Sequence, residues 1–313
     1  MTLQAWPRAA GAGRMRAWRV HAYGALAELR LDDARVPPLR APSEVLVRVA
    51  AASLNPIDVA MIGGYGARAL NTLRALDGEC DVEFPLVPGR DFVGTVERAG
   101  PAARLRPGQR VWGVVPPHRQ GSHAEYVVVK DEWVTVGCSG ALGALALRLG
   151  AARALDRHHD DYSRQLEDGG PYYAVLDCAG LGGAEAGARA WRFRRFVTLS
   201  TPLLRQLDAR GVGAGALAAS AELLAQSARA AAAPGPSPPG LLPPHVRWAF
   251  FAPCASDIDQ LYRLAERGQF SVCVEQSFAW WRAADAFARA AAGGARGKLL
   301  LDFTAEPPAA RAS

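Results

Sequence analysis

The sequence has few cysteines, and none is placed for a bridge or a metal. Its 313 residues hold five, Cys80, Cys138, Cys178, Cys254 and Cys273. They lie far apart, with no Cys-x-x-Cys pair and no Cys-and-His spacing suited to zinc, so reduced thiols in an intracellular compartment are expected. No uninterrupted apolar run reaches the roughly 18 to 20 residues that a membrane-spanning helix requires, which leaves only peripheral membrane association. Concentrated charge is also missing: 36 Lys and Arg against 30 Asp and Glu give +6, spread along the whole chain. A solvated basic surface, not a nucleic-acid footprint, follows. No acidic residue precedes Glu28, whereas Arg8, Arg14, Arg16 and Arg19 do. That balance suits a mitochondrial presequence over residues 1–14, although Met15 to Tyr23 also reads as the first strand of a fold.

Half of the residues are hydrophobic, enough for two domains with a sizeable core. From Met15 to about Val129 the pattern is β-rich, with short alternating or β-branched runs at Glu44 to Val49, Phe92 to Val96, Arg110 to Val115 and Ala124 to Val129, separated by Pro and Gly. After Gly137 the period changes. Apolar strand candidates at Tyr173 to Leu176, Phe196 to Leu199 and Val246 to Phe251 alternate with helix-like segments, which suggests a parallel α/β sheet. Ser256 to Arg267 reads as a helix with Ser256 as N-cap and Gly268 as its stop. Val272 to Phe278, a helix from Trp281 to Ala291 and Lys298 to Phe303 close the pattern. An alanine-rich segment from Ala214 ends in six prolines by Pro244, and its end, near 231–244, is expected to form a surface loop.

Three stretches carry a resemblance: Ala52-Ser53-Leu54-Asn55-Pro56-Ile57-Asp58, Gly63-Gly64-Tyr65-Gly66, and Phe84-Pro85-Leu86-Val87-Pro88-Gly89-Arg90-Asp91-Phe92-Val93-Gly94. Pro107-Gly108-Gln109-Arg110-Val111-Trp112, Gln120 to Tyr126, Arg247 to Phe251 and Ala295-Arg296-Gly297-Lys298 add to it. Together they resemble the medium-chain dehydrogenase/reductase superfamily, in its zinc-free quinone-oxidoreductase branch, and are most similar to its mitochondrial, reticulon-interacting members. The resemblance implies an α/β fold with a GroES-like β domain at 15–133, a doubly wound (Rossmann) dinucleotide-binding domain at 134–269, a return to the first domain at 270–304 and a flexible tail at 305–313. It also implies NADPH as cofactor, a quinone or enone as substrate, a reticulon-family protein as partner, a homodimer and a mitochondrial location. Zinc-dependent members place a Cys ligand where Asn55 stands and Gly-His-Glu where Gly89-Arg90-Asp91 stands, so a zinc alcohol dehydrogenase is not expected. Without metal, a quinone or activated alkene needs hydrogen-bond donors around its oxygen, and Asn55, Tyr65 and Arg90 are the candidates. Each has a structural alternative: Asn-Pro favours turns, Tyr65 lies in a Gly-rich loop, and Arg90 has Asp91 or another acid to pair with.

The dinucleotide-binding half looks incomplete. Val134-Thr135-Val136-Gly137-Cys138-Ser139 resembles the second strand of the family's nucleotide sheet, and Leu149-Gly150-Ala151 and Leu155-Asp156 continue the match. On that alignment on the order of 60 to 80 residues are absent, including the first strand and the helix whose N-terminus binds phosphate. One omitted exon or a faulty gene model would produce that pattern. The alternative takes Gly137-Cys138-Ser139-Gly140-Ala141-Leu142-Gly143 as the phosphate-binding turn itself, which requires two deletions. Ser139 and Gly140 are cofactor candidates either way, Ser139 also being a plausible helix N-cap. The resemblance carries cofactor contacts onto Gly180, Thr201, Leu203, Phe250, Phe251, Arg296, Gly297 and Lys298 as well. Losing the first strand would leave a gapped sheet with exposed apolar edges. Two function classes therefore stand: a zinc-free NADPH oxidoreductase, or a catalytically impaired short form that acts by binding a partner.

Overall fold

The computed structural model describes residues 13–77, 82–131, 134–136, 160–178, 180–190, 192–232, 244–269 and 272–307. In chain order the elements are β1 (Arg14–Val20), β2 (Leu29–Arg35), β3 (Glu44–Leu54), α1 (Pro56–Ile62), α2 (Ala67–Asp77), β4 (Asp91–Ala99), β5 (Arg110–Val114), β6 (Tyr126–Lys130) and β7 (Val134–Val136). Then come α3 (Tyr162–Asp168), β8 (Tyr172–Asp177), β9 (Phe193–Thr198), α4 (Leu203–Arg210), α5 (Val212–Ala232) and β10 (His245–Trp248). Last are α6 (Ala255–Glu266), β11 (Val274–Ala279), α7 (Ala283–Ala291) and β12 (Lys298–Asp302). The chain divides into two units, one of residues 1–143 with 252–313 and one of residues 144–251.

The first unit is built on β3, whose eleven residues are rich in Val, Leu and Ala and so suit a strand covered on both faces. β4 pairs antiparallel along most of one edge. The other edge is shared, with β6 opposite Glu44–Arg48 and β12 opposite Ala51–Leu54. The full order is β11-β12-β3-β4-β5-β7, and β1 and β2 form a separate antiparallel pair. Gly94 lies where β4 crosses β3 closely, since a Cβ there would meet the Arg48 carbonyl oxygen at 2.2 Å. The core between sheet and helices includes Val45, Val47, Met61, Ile62, Phe287, Leu301 and Phe303, each at most 2% exposed.

The second unit is a parallel sheet in the order β10-β9-β8. α5 and the turn at Gly183–Gly187 pack against it, and Phe193, Phe196, Ala186, Ala230 and Val246 form its small core. Small residues let α5 approach closely: Gly215, Ala219 and Ala230 are all buried. The alanine-rich stretch is thus mostly a 21-residue helix, as alanine's high helix propensity favours. The loop expected to follow it lies largely outside the described residues, as do the presequence and most of the tail.

Two boundaries differ from expectation. Val134–Val136 pairs antiparallel with Val111–Gly113 of β5, so these residues extend the first unit's sheet instead of forming a parallel nucleotide strand; β5 offers them an open ladder. α6 belongs to the first unit, whose return therefore begins at 252 and not 270. The cap of α6 also shifts: Cys254 is extended and precedes the helix, while Gly268 at φ +66° follows it. Asn55-Pro56, a turn former by composition, begins α1 instead, because Asn favours the N-cap and Pro the first helical position.

Among the described residues β8 is the end of its sheet, and Tyr173 and Leu176 on it are both 63% exposed. Such an apolar surface promotes association. Leu176→Glu is expected to reduce concentration-dependent light scattering of the purified chain, with stability changed by no more than about 0.5 kcal/mol. Undiminished scattering would locate the association elsewhere.

Candidate functional site

Three strand ends converge in the first unit. β4 and β12 both run antiparallel to β3, so the start of each lies beside the end of β3. That arrangement gathers Ser53 and Asn55, Asp91, and Lys298 from three separate stretches of sequence. Asp91 Oδ1 accepts from the Ser53 N–H at 3.0 Å and from its hydroxyl at 2.5 Å, and Oδ2 accepts from Asn55 Nδ2 at 3.1 Å. Lys298 Nζ donates to Asn55 Oδ1 at 2.5 Å and stands 3.3 Å from Ser53 Oγ and 3.5 Å from Asp91 Oδ2. The Asn55 amide is therefore oriented by charge, its oxygen toward a cation and its nitrogen toward an anion. Burial opposes the Asp91 charge, yet Lys298 and the donors from Ser53 and Asn55 outweigh it and hold this carboxyl below the usual range. The side chains of Asp91 and Lys298 remain 32% and 38% exposed, so the cluster is open on one side.

A buried charged layer lies beneath. Asp58, fully buried, accepts from the Asn55 N–H at 2.8 Å through Oδ2 and from the Gly89 N–H at 2.9 Å through Oδ1. Arg90 Nε is 3.6 Å from the same Oδ1. The Arg90 guanidinium also donates to the carbonyls of Pro116, Pro117, Arg119 and Val87 at 2.9–3.2 Å. His123 is fully buried, its Nε2 3.1 Å from the Ser53 carbonyl and its Nδ1 without a hydrogen-bond partner. A carbonyl only accepts, so the proton sits on Nε2, and burial pushes the pKa of this imidazole down and keeps it neutral. Gly89, at φ +99°, is required here: a Cβ would meet His123 Cδ2 and Ser122 Oγ at 2.6 Å.

The expected site residues fall into distinct places. Asn55 is in the open cluster. Arg90, 3% exposed, is inside the protein and not on a wall, and its acid is Asp58 rather than Asp91. Tyr65 is half-buried between Gly64 and Gly66, both at positive φ, with its N–H on the Ala60 carbonyl. Lys298, expected among cofactor contacts, joins Asn55. Its neighbours differ: Arg296 is exposed with its N–H on Glu275, and Gly297 lies against β11, where a Cβ would meet the Cys273 carbonyl oxygen at 2.7 Å. Ser53, Asp58 and His123 were not singled out by sequence; the signal available for Ser53 and Asp58 was their position flanking Asn55.

In the second unit the expected cofactor residues share one end of the sheet. Gly180 follows β8, Thr201 and Leu203 follow β9, and Phe250 and Phe251 follow β10, all beyond the carboxyl ends of parallel strands, where open α/β sheets bind ligands. Asp177 shapes this edge by accepting from the N–H groups of Leu181 and Gly182 and from the Thr198 hydroxyl at 2.7–3.2 Å. Gly180, at φ +77°, faces open space, and Phe250 and Phe251 are 59% and 51% exposed. An exposed, glycine-opened edge with apolar flanks fits a dinucleotide. Ser139 and Gly140 lie outside the described residues.

Two family models match the chain: the alcohol dehydrogenase GroES-like domain over residues 41–138 and the zinc-binding dehydrogenase over residues 149–301. The chain is 31% identical to the mitochondrial NAD(P)H oxidoreductase RTN4IP1 of Drosophila melanogaster, covering 96% of this chain and 89% of the relative. It is 26% identical to the mitochondrial reticulon-4-interacting protein 1 of Caenorhabditis elegans, covering 92% and 95%. Among solved structures, the quinone oxidoreductase of Coxiella burnetii superposes with a TM-score of 0.58 at 17% identity, covering 92% and 99%, which shows a shared fold. The alignment with the fly protein runs over 376 positions and takes in 96% of this chain's 313 residues, about 300, so about 76 of its positions have no residue of this chain. The fold is thus a GroES-like domain with a Rossmann-like partner.

The zinc of the second model's name does not suit the polar cluster. Its residues offer one carboxylate, one amide and one hydroxyl, and an ammonium is already seated among them, whereas zinc takes imidazole, thiolate and carboxylate ligands and would be repelled by that charge. Among the described residues no group of three or more His, Cys, Asp or Glu is placed to hold a metal, and no helix is long and apolar enough to cross a membrane.

Two outcomes follow. Arg90→Ala would strand the buried Asp58 charge and is expected to cost about 3–5 kcal/mol in urea unfolding; a stable Arg90→Ala chain would show that the pair is not structural. Because folding lowers the Asp91 pKa, its contribution is full above the ordinary value of 3.8 and fades as pH falls through the lowered one. Wild type should therefore exceed Asp91→Asn in stability at neutral pH, with the difference closing under acid. A pH-independent difference would mean that the Asp91 charge is not what stabilises the fold.

Proposed function

We infer that this chain, which belongs to the family of mitochondrial NAD(P)H oxidoreductases RTN4IP1, reduces a quinone or an activated alkene with NADPH as the hydride source and without zinc. The bound nicotinamide supplies the hydride. Residues of the chain do the rest, and the two units contribute separately. In the second, Gly180, Thr201, Leu203, Phe250 and Phe251 line the strand ends that would hold the cofactor. In the first, the observation that carries the reading is the open cluster of Ser53, Asn55, Asp91 and Lys298. It presents hydrogen-bond donors fixed in advance, as stabilisation of a reduced carbonyl oxygen requires. Asn55 Nδ2 donates to Asp91 Oδ2 at 3.1 Å and has only a long 3.5 Å contact, to Ser53 Oγ, for its second hydrogen, which is the donor proposed for the acceptor; Tyr65 lies two glycines beyond α1 as a further candidate. Arg90 and Asp58 act beneath as positioning residues, holding the start of α1 and the approach to β4 in place.

NADPH, not NADH, is proposed from the family resemblance, with Ser139 as the phosphate-side candidate and Arg296 on the nicotinamide side. The relatives' names support a mitochondrial location and, for the C. elegans protein, a reticulon partner. Homodimerisation is proposed on the same resemblance. A second reading, a non-catalytic short form that works by binding a partner, is favoured by the gap positions of the alignment with the fly protein, about 76, and by the exposed apolar residues of β8.

Thermal unfolding separates the two. NADPH at 100 times its dissociation constant should add about 2.7 kcal/mol and raise the transition by several degrees, with a smaller rise for NADH at equal concentration. A broad transition indifferent to both nucleotides would establish the non-catalytic reading.

A further inference from the structure

Lysine is rare in this chain. Of its 36 cationic side chains only Lys130 and Lys298 are lysines. One of the two stands in the open cluster, paired with Asp91 and hydrogen-bonded to Asn55 and Ser53. A surface lysine usually extends into water; Lys298 instead turns its ammonium onto an amide oxygen at 2.5 Å while keeping a side open to solvent. Asp91 is its nearby carboxylate, but the charge of Asp91 is already shared among the Ser53 N–H, the Ser53 hydroxyl and the Asn55 amide. The ammonium is therefore held in place by three neighbours, with 38% of its side chain still open to solvent. It is also a compact point charge with rotatable donors, unlike the planar fork of arginine.

We propose that Lys298 is the group that meets the negative charge developing on the oxygen of the acceptor, so that the cluster binds phenolate-like and enolate-like anions even without cofactor. The proposal rests on the reductase reading above and deepens it, moving Lys298 from cofactor contact to acceptor site. In the reaction the acceptor gains a hydrogen and its bonding electron pair while the dihydronicotinamide is oxidised. The carbonyl π electrons move onto oxygen, opposite the ammonium, and water then supplies the proton. The positive charge fixed between Asn55 and Asp91 does at this oxygen what a metal ion does in other carbonyl chemistry, and it needs no reorganisation because its anchors are already in place.

The test uses 4-nitrophenol, whose anion resembles a quinol monoanion and absorbs visibly, with the full chain and no nucleotide. At a pH near that of its own titration, wild type should shift bound 4-nitrophenol toward the phenolate spectrum. Lys298→Met should abolish the shift, and Lys298→Arg should retain it with affinity within about tenfold, because the charge persists. Near-ultraviolet circular dichroism of each variant checks that it is folded. In turnover with NADPH, Lys298→Met should lower kcat on the order of 100-fold while leaving the NADPH KM unchanged. No phenolate shift in wild type, or the same shift in folded Lys298→Met, overturns the proposal, as does a rise in NADPH KM at unchanged kcat. Since the spectral arm needs no cofactor, failure of the reductase reading would leave it decisive on its own.

Discussion

A single buried carboxylate organises the first unit's polar site. Asp58 has no contact with solvent, and its two oxygens serve two different segments: one takes the Asn55 N–H at the start of α1, the other takes the Gly89 N–H and faces Arg90. An ion in that position is tolerable only with such partners. The fixed distances among them determine where Asn55 and Asp91 lie, because Asn55 is the cap itself and Asp91 follows Arg90 directly. Lys298 then finds an amide whose dipole is already aligned. The open cluster is accurate because the closed layer below it has little freedom.

Much of the fold was legible because its strands obey local rules. β3, β4, β5 and β6 are runs of β-branched and apolar residues between turn signals, and the pattern marks them to within a few residues. β8, β9 and β10 showed their parallel character by being apolar and separated by helical stretches. What was not legible depended on partners distant in sequence. Three residues at Val134–Val136 do not announce whether they join a parallel or an antiparallel sheet, and here the open edge of β5 decides. α1 was hidden because Asn-Pro marks turns and helix starts equally well.

The site was half legible for the same reason. Asn55 and Lys298 were both singled out, yet for separate roles, since 243 positions lie between them and only the pairing of β12 with β3 brings them together. Arg90 was visible as a charge in a motif but not as an interior one; the carbonyls of Pro116, Pro117 and Arg119 in a distant loop, with that of nearby Val87, take its donors. His123 gave no signal at all, because a buried neutral imidazole looks like any other histidine until its surroundings are known. Motif spacing predicts a shortened nucleotide half, and the alignment with the fly protein has positions that lack a residue of this chain without saying where they fall.

The shared edge of β3 has a consequence for the chain during synthesis. β6 covers the first half of that edge and β12 the second, and β12 is made after the other strands of that sheet. While translation proceeds, Ala51–Leu54 has lost its eventual neighbour on that side and Asn55 faces no ammonium. The residues of the second unit, by contrast, all emerge before residue 252. Assembly of the polar cluster therefore awaits the segment that carries Lys298, and a ribosome stalled before it would carry a chain whose first unit has an unpaired ladder and an unfinished site.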